Sequence, residues 1–377
     1  MSQKKLDEKK KNIVVVGGGF AGIAAVKELA TKVDHAKYNV VLVTPRPYNV
    51  HLLALIRMTV SDIDDLGNQA LIPYDRLQGV FHQIATVTSI EETAPGEGGN
   101  VVFATGERLS YAALLLATGA IWSGPLAIGD SDKEIRQHLK EWQSRFASAR
   151  HVVIGGGGAV GIETVGEIKD VYPDTKVTLV HSQSQLVSEI YPDKFRRKLD
   201  AAVRGRGAEI IYSDYIDVFP EPGQTVDITT RRGKTIKGVD LVVPAFGSRP
   251  NTAFISSLGS GVLTESGTVK VKPTLELLHH KGIWAAGDII EWAEAKQAAK
   301  APNHSAVAAA NILSFLGGRP QTKVYKGSME LIAVPVGKKY GASYFNVLWG
   351  ICFGNWLTSL AKGKTLIVPK ARSDLNY

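Results

Sequence analysis

The chain has 377 residues, length for two or three domains of ordinary size, and 44% of them are hydrophobic against 21% charged. Its net charge of +8 sits mostly at the ends: residues 2–12 and 361–377 each carry +3, which leaves about +2 between them and argues against a specific nucleic-acid binder. A single cysteine, Cys352, excludes a disulfide framework, a cysteine metal cluster and a CxxC redox pair, and fits a reducing compartment.

Residues 1–11 read as a disordered basic tail. They have no apolar region of the secretory type, and they carry acid and no arginine, unlike a mitochondrial leader. Residues 13–17 then read as a buried strand, 20–31 as a helix and 38–43 as the next strand. The stretch "NVVFATGERLSYAALLLATGA" (100–120) alternates around a glycine turn and then runs apolar. A helix with one polar side is expected within 125–150. The first order then returns: "HVVIG" (151–155), a glycine turn, a helix through Ile168, and "KVTLV" (176–180). After "AEIIYSD" (208–214), "VDITTRRGKTIKGVDLVVPAFG" (226–247) repeats the hairpin followed by an apolar strand. "GIWAAGDII" (282–290) is a further buried strand ending in Gly-Asp, followed by a helix from about Asn303 to Phe315. The chain thus contains two similar halves and a tail of strand-like and helical pieces.

Each half opens on a GxGxxG turn between strand and helix. Such a turn brings backbone N–H groups against a pyrophosphate: its glycines permit the tight turn, the close approach of phosphate, and helix–strand packing. Gly17, Gly19 and Gly22 fit the first half. In the second, a start at Gly155 would put bulky Val160 at the third position, so the register is Gly156, Gly158 and Gly161. One such motif is weak; two, each in a strand–turn–helix context, predict two bound dinucleotides and electron transfer between them. The carboxylate usual about 20 residues on, which holds the adenosine ribose, is replaced by Thr44 in the first half and His181 in the second. Loss of the acid removes a repulsion against a 2′-phosphate, so NADH and NADPH both stay open. Gly287 and Asp288 end a strand where a carboxylate can accept hydrogen bonds from a polyol.

These residues carry a family resemblance. "VVVGGGFAGIAA", "LLLATGA", "VVIGGGGAVGIETVGEI", "VTLVHSQ" and "GIWAAGD" resemble the pyridine-nucleotide:flavin oxidoreductases. "VTLVHSQ", "KQAAKAPNHSAVAAANI" and "LAKGKTLIV" resemble in particular the apoptosis-inducing-factor-like, ferroptosis-suppressor group of NAD(P)H:quinone oxidoreductases. The resemblance spans roughly residues 12–370. It implies an α/β fold of two Rossmann-like dinucleotide-binding domains with a small α+β C-terminal region. FAD would occupy a discontinuous domain, 12–123 and 247–317. NADH or NADPH would occupy 124–246, and 318–377 would form the C-terminal region. By position, Gly17, Gly18, Gly19, Phe20, Ala21, Gly22, Thr44, Thr118, Gly119, Gly287 and Asp288 are expected at FAD, with Arg57 and Val87 at its nucleotide part. Gly156, Gly158, Val160, Gly161, Glu163 and His181 are expected at NAD(P)H, and Lys296 and His304 on the quinone side of the flavin. Lys296 would stabilise the reduced flavin or the quinone oxygen by charge, and His304 would donate a proton to the quinol. Ser2 departs from the myristoylated members, which carry glycine there.

Trp349, Phe353, Trp356 and Leu360 fall at i, i+4, i+7 and i+11, with Lys362 and Lys364 following. Two readings stay open: an interfacial membrane helix suited to a lipid quinone, or a face packed on the flavin domain or on a second subunit in a homodimer. No segment reaches the ~18 apolar residues of a spanning helix. The expectation is a cytoplasmic protein, at most peripheral on a membrane, neither secreted nor transmembrane. Competing readings are a reductase of a small acidic electron-transfer protein, and a binding protein controlled by its redox state.

Overall fold

In the computed structural model, residues 6–221, 223–347 and 350–377 are described. The first half comprises β1 (Lys11–Val16), α1 (Phe20–Lys32), β2 (Tyr38–Thr44), β3 (Val80–Ile84) and β4 (Ala113–Leu116). The second repeats the order with β5 (His151–Gly155), α2 (Ala159–Val171), β6 (Lys176–Val180), β7 (Glu209–Ile211) and β8 (Leu241–Pro244). Then come β9 (Ile283–Ala285) and α3 (Ala301–Leu316).

One sheet runs β9-β4-β1-β2-β3, all parallel. The other runs β7-β6-β5-β8, also parallel. Near-continuous Val/Leu/Ile runs suit strands covered on both faces, and Val14, Val41, Leu115, Val153 and Leu179 have no exposed surface. β9 lies far along the chain yet pairs with β4, so the first sheet is closed by a segment that returns after the second is complete. Ser305 of α3 donates to the Ala21 carbonyl, which fastens the returning helix to α1.

Each sheet carries an antiparallel accessory. Strands Val87–Ala94, Gly98–Phe103 and Arg108–Tyr111 form one, and the hairpin of Val226–Thr229 and Thr235–Val239 the other. The helix expected within 125–150 spans Asp132–Ser148 and starts at a capping box: Ser131 accepts from the Glu134 N–H, and Glu134 reaches back to the Ser131 N–H.

The C-terminal region is an antiparallel sheet of Leu331–Val336, Tyr340–Phe345 and Ile351–Phe353, followed by short helices. Its first hairpin sits directly on α2, where a Cβ on Gly166 would lie 1.9 Å from the Gly337 amide nitrogen. Here the sequence reading needs correction. Phe353 closes a strand, Gly354 breaks it, Asn355–Thr358 is one short helix, and Ser359–Gly363 is a wide turn. Trp356 and Leu360 are 78% and 57% exposed, so they are not core, and Phe353 does not share a helix with them. Trp349, like Ser2, lies outside the described residues. Among the described residues no helix is long and apolar enough to cross a membrane.

Candidate functional site

Both glycine turns have the same construction. Gly17 has φ +112°, and a Cβ there would lie 2.2 Å from the Ala117 carbonyl oxygen at the end of β4. Gly156 has φ +124°, and its Cβ would lie 2.5 Å from the Ala245 oxygen at the end of β8. A Cβ on Gly22 would meet the Gly17 oxygen at 1.7 Å, and one on Gly161 the Gly156 oxygen at 1.9 Å. The second turn therefore uses Gly156, Gly158 and Gly161, while Gly155 is the last residue of β5.

Gly19 and Gly158 cap α1 and α2 in extended conformation, and a Cβ on either would meet nothing within 4 Å. Neither helix has a side-chain cap or an acid in its first turn. Their leading N–H groups and the positive end of each helix dipole thus face open space, which is the cradle a phosphate requires. Each turn lies where the strand order of its sheet reverses, between β1 and β4 and between β5 and β8. That is the crevice in which such sheets hold ligands.

Side chains brace the first turn from behind. Tyr74 Oη and Asn49 Nδ2 both donate to the Gly18 carbonyl, at 2.8 and 2.9 Å. Phe20 lies edge-on to the His51 ring. Thr44 ends β2 almost fully buried, and its hydroxyl accepts from the Arg46 N–H. Thr118 follows β4 and donates to the Asn251 carbonyl at 2.6 Å, with Gly119 next to it at φ +66°. Val87 stands just past the carboxyl end of β3. Gly287, at φ +80°, passes close to Ala21, so Asp288 is brought beside the start of α1. Burial holds the Asp288 carboxyl above the ordinary range, opposed by the positive charge of Lys296. The Lys296 ammonium donates to the Ile290 carbonyl at 2.6 Å, and desolvation lowers its pKa.

His304 is not placed to donate a proton to an acceptor. It is 2% exposed, its Nδ1 accepts from the Gly287 N–H at 3.1 Å, and its Nε2 bonds Glu294 at 2.9 Å. Glu294 in turn accepts from Tyr325 Oη at 2.8 Å. With both nitrogens occupied, His304 positions the Gly287–Asp288 turn instead.

The second turn has a parallel brace. Nδ1 of His181 accepts from the Gly157 N–H at 3.1 Å, and burial holds the imidazole below the usual histidine pKa. In that tautomer Nε2 carries the proton, and this buried donor has no hydrogen-bond partner of normal geometry among the described residues. Glu163 accepts from Lys362 of the C-terminal segment at 2.6 Å, both side chains being mostly buried. Val160 packs on the second core and on the cluster around Leu55 and Leu139.

Four of the five guanidinium N–H donors of Arg57 are committed to protein acceptors. Its guanidinium makes a bidentate pair with Glu167 of α2, at 2.7 and 2.9 Å, and donates to the carbonyls of Gly363 and Lys364. These bonds make Arg57 a buried tie between the first half, the second half and the C-terminal segment. Sequence patterning carried no signal for Tyr74 or Asn49 and marked Lys362 only as a basic residue after the tail stripe, because each acts through contacts distant in the chain.

Two switch-point crevices with uncapped, glycine-opened helix ends define a protein that binds two dinucleotides. Residues 11–311 match the pyridine nucleotide-disulphide oxidoreductase family model, and the chain belongs to that family. It is accordingly an oxidoreductase with FAD as cofactor and a nicotinamide nucleotide as co-substrate. It is 45% identical over 319 residues to "FAD-dependent oxidoreductase FVFD30" of Flammulina velutipes, covering 84% of this chain and 98% of that protein. It is 28% identical to "Ferroptosis suppressor protein 1" of Xenopus tropicalis over 100% of this chain and 98% of that one. The sulfide:quinone oxidoreductase of Aquifex aeolicus shares the fold, with a TM-score of 0.75 at 16% identity, covering 97% of this chain and 92% of that one.

Proposed function

We propose that the protein is an NAD(P)H:quinone-type oxidoreductase that holds FAD in the crevice of the first sheet and NADH or NADPH in that of the second. The observation that carries the reading is the pair of matched crevices, each with a helix N-terminus open to phosphate. Bound FAD supplies a carrier that takes a hydride equivalent and returns two electrons. The chain's own residues bind, orient and exclude water. Gly19 and Gly158 present backbone N–H groups to the two pyrophosphates. Asp288, pinned by His304 acting on Gly287, offers a carboxylate to the ribityl hydroxyls. The unpaired Nε2–H of His181 offers a donor to the adenosine ribose of the second nucleotide. Lys296 places a positive charge beside the first crevice, where it stabilises negative charge on the reduced cofactor or on the acceptor oxygen.

The acceptor assignment has separate support. With one cysteine the sequence holds no dithiol relay, so electrons leave the flavin directly to an acceptor. The resemblance of "VTLVHSQ", "KQAAKAPNHSAVAAANI" and "LAKGKTLIV" to NAD(P)H:quinone oxidoreductases favours a quinone. The test is the visible spectrum of the purified protein under anaerobic conditions. Flavin bands that bleach with NADH or NADPH and return with a short-chain ubiquinone support the reading. Bleaching without return transfers the acceptor role to a protein. No bleaching by either nucleotide refutes the assignment of the second crevice.

A further inference from the structure

The internal repeat makes the two crevices comparable position by position. A Cβ on Gly17 would touch the Ala117 carbonyl and the Thr118 nitrogen; a Cβ on Gly156 would touch the Ala245 carbonyl and the Phe246 nitrogen. Phe246 therefore occupies in the second crevice the place of Thr118 in the first. The two residues behave differently. Thr118 is partly buried and its hydroxyl is bonded to Asn251. Phe246 is 49% exposed, a large ring left at the mouth of a crevice. It leans edge-on against Phe219, with ring centroids 5.4 Å apart at 68°. Phe219 in turn reaches the strand end that leads into the turn: a Cβ on Gly155 would lie 3.5 Å from its ring.

We infer that Phe246, backed by Phe219, is the aromatic wall against which the nicotinamide half of the second nucleotide packs. The inference rests on the reading of that crevice as the NAD(P)H site. The assignment to one half follows from topology. In a doubly wound sheet the dinucleotide crosses the switch point, and the second strand of the unit, here β6 with His181 after it, marks the adenosine side. β8 lies on the opposite side of β5, so the residue that ends it stands with the other half of the ligand. Aromatic rings supply area and preferred stacking geometry to a flat heterocycle, and exposed rings in a crevice gain most when a ligand covers them. The ring of Phe219 fixes the angle of Phe246 before the ligand arrives, which lowers the ordering cost of binding.

The experiment uses the FAD-loaded protein with Phe246→Thr, which copies the first crevice, and Phe219→Ala. The apparent Kd for NADH and for reduced nicotinamide mononucleotide is read for each from the concentration dependence of anaerobic flavin bleaching, and that for ADP by its competition with NADH. The expected result is a rise of about five- to tenfold in Kd for NADH and for the mononucleotide in Phe246→Thr, a smaller rise in Phe219→Ala, and ADP unchanged. Phe246→Tyr keeps the ring and should bind as the parent does, which separates loss of stacking from damage to the fold. Unchanged NADH binding in Phe246→Thr overturns the inference, and so does equal weakening of ADP, which would put the ring on the adenosine side. Failure of the parent protein to bleach with either nucleotide overturns the function instead, and is read before any variant is made.

Discussion

Removing the Arg57 guanidinium tests the tie that joins the three parts of the chain. Arg57 and Glu167 have side chains only 5% and 4% exposed, and the pair is bidentate. In Arg57→Ala the Glu167 carboxylate stays buried with its counter-charge gone, and the carbonyls of Gly363 and Lys364 lose a donor. Breaking a buried pair from one side costs about 3–5 kcal/mol, chiefly from the charge left behind. Burial already raises the Glu167 pKa against the pull of Arg57, so without Arg57 the carboxyl is pushed further up. A carboxyl whose folded pKa lies above its unfolded value binds extra protons when folded, so the stability it contributes is present at low pH and lost as pH rises through the folded pKa. The variant should therefore be hurt more at pH 8 than at pH 5. The assay is thermal and denaturant unfolding of the FAD-loaded protein at both pH values, with Arg57→Met/Glu167→Met as the paired control. The double variant should recover most of the loss, since two apolar side chains leave no stranded charge. A loss below about 1 kcal/mol, or a double variant no more stable than Arg57→Ala, would refute the reasoning. Loss of FAD from Arg57→Ala with stability intact would return Arg57 to the flavin.

Further outcomes are expected. Gly161→Ala drives a Cβ into the Gly156 carbonyl, so the variant should keep its flavin spectrum and bleach with dithionite while its response to NADH falls by at least tenfold. His304→Leu leaves the Gly287 N–H without an acceptor and should weaken FAD retention on dialysis; rapid quinone turnover with tight FAD would show that His304 does not position that turn. Burial holds His151 below the free-histidine value of 6.5, so the unfolded chain takes up its proton first as pH falls. The melting temperature should therefore decline from about pH 6.5 toward pH 5 with a slope that shrinks in His151→Asn, and equal slopes would contradict this. Trp356→Ser/Leu360→Ser removes two exposed side chains and should change stability by no more than about 0.5 kcal/mol in calorimetry; a large loss would mean that they are covered in solution.

Much of the fold was legible because it rests on local chemistry. Buried β-branched runs fixed β1, β2, β5 and β6, and glycine spacing fixed both turns, including the choice of Gly156 over Gly155, since a strand, a sharp turn and a helix are specified within about 30 residues. The Trp356–Leu360 stripe misled because spacing alone does not sense the break at Gly354 or the strand pairing that claims Phe353. The bonds from the Gly157 and Gly287 amides to His181 and His304, Tyr74 beneath Gly18, and the tie of Arg57 to Glu167 and to the Gly363 carbonyl had no such signal. The sequence by itself determined that this protein has two dinucleotide turns and no dithiol. Only the tertiary structure decided which polar side chains serve those turns and which lock the parts together, because hydrogen bonds and desolvation depend on distance in space and not on separation along the chain.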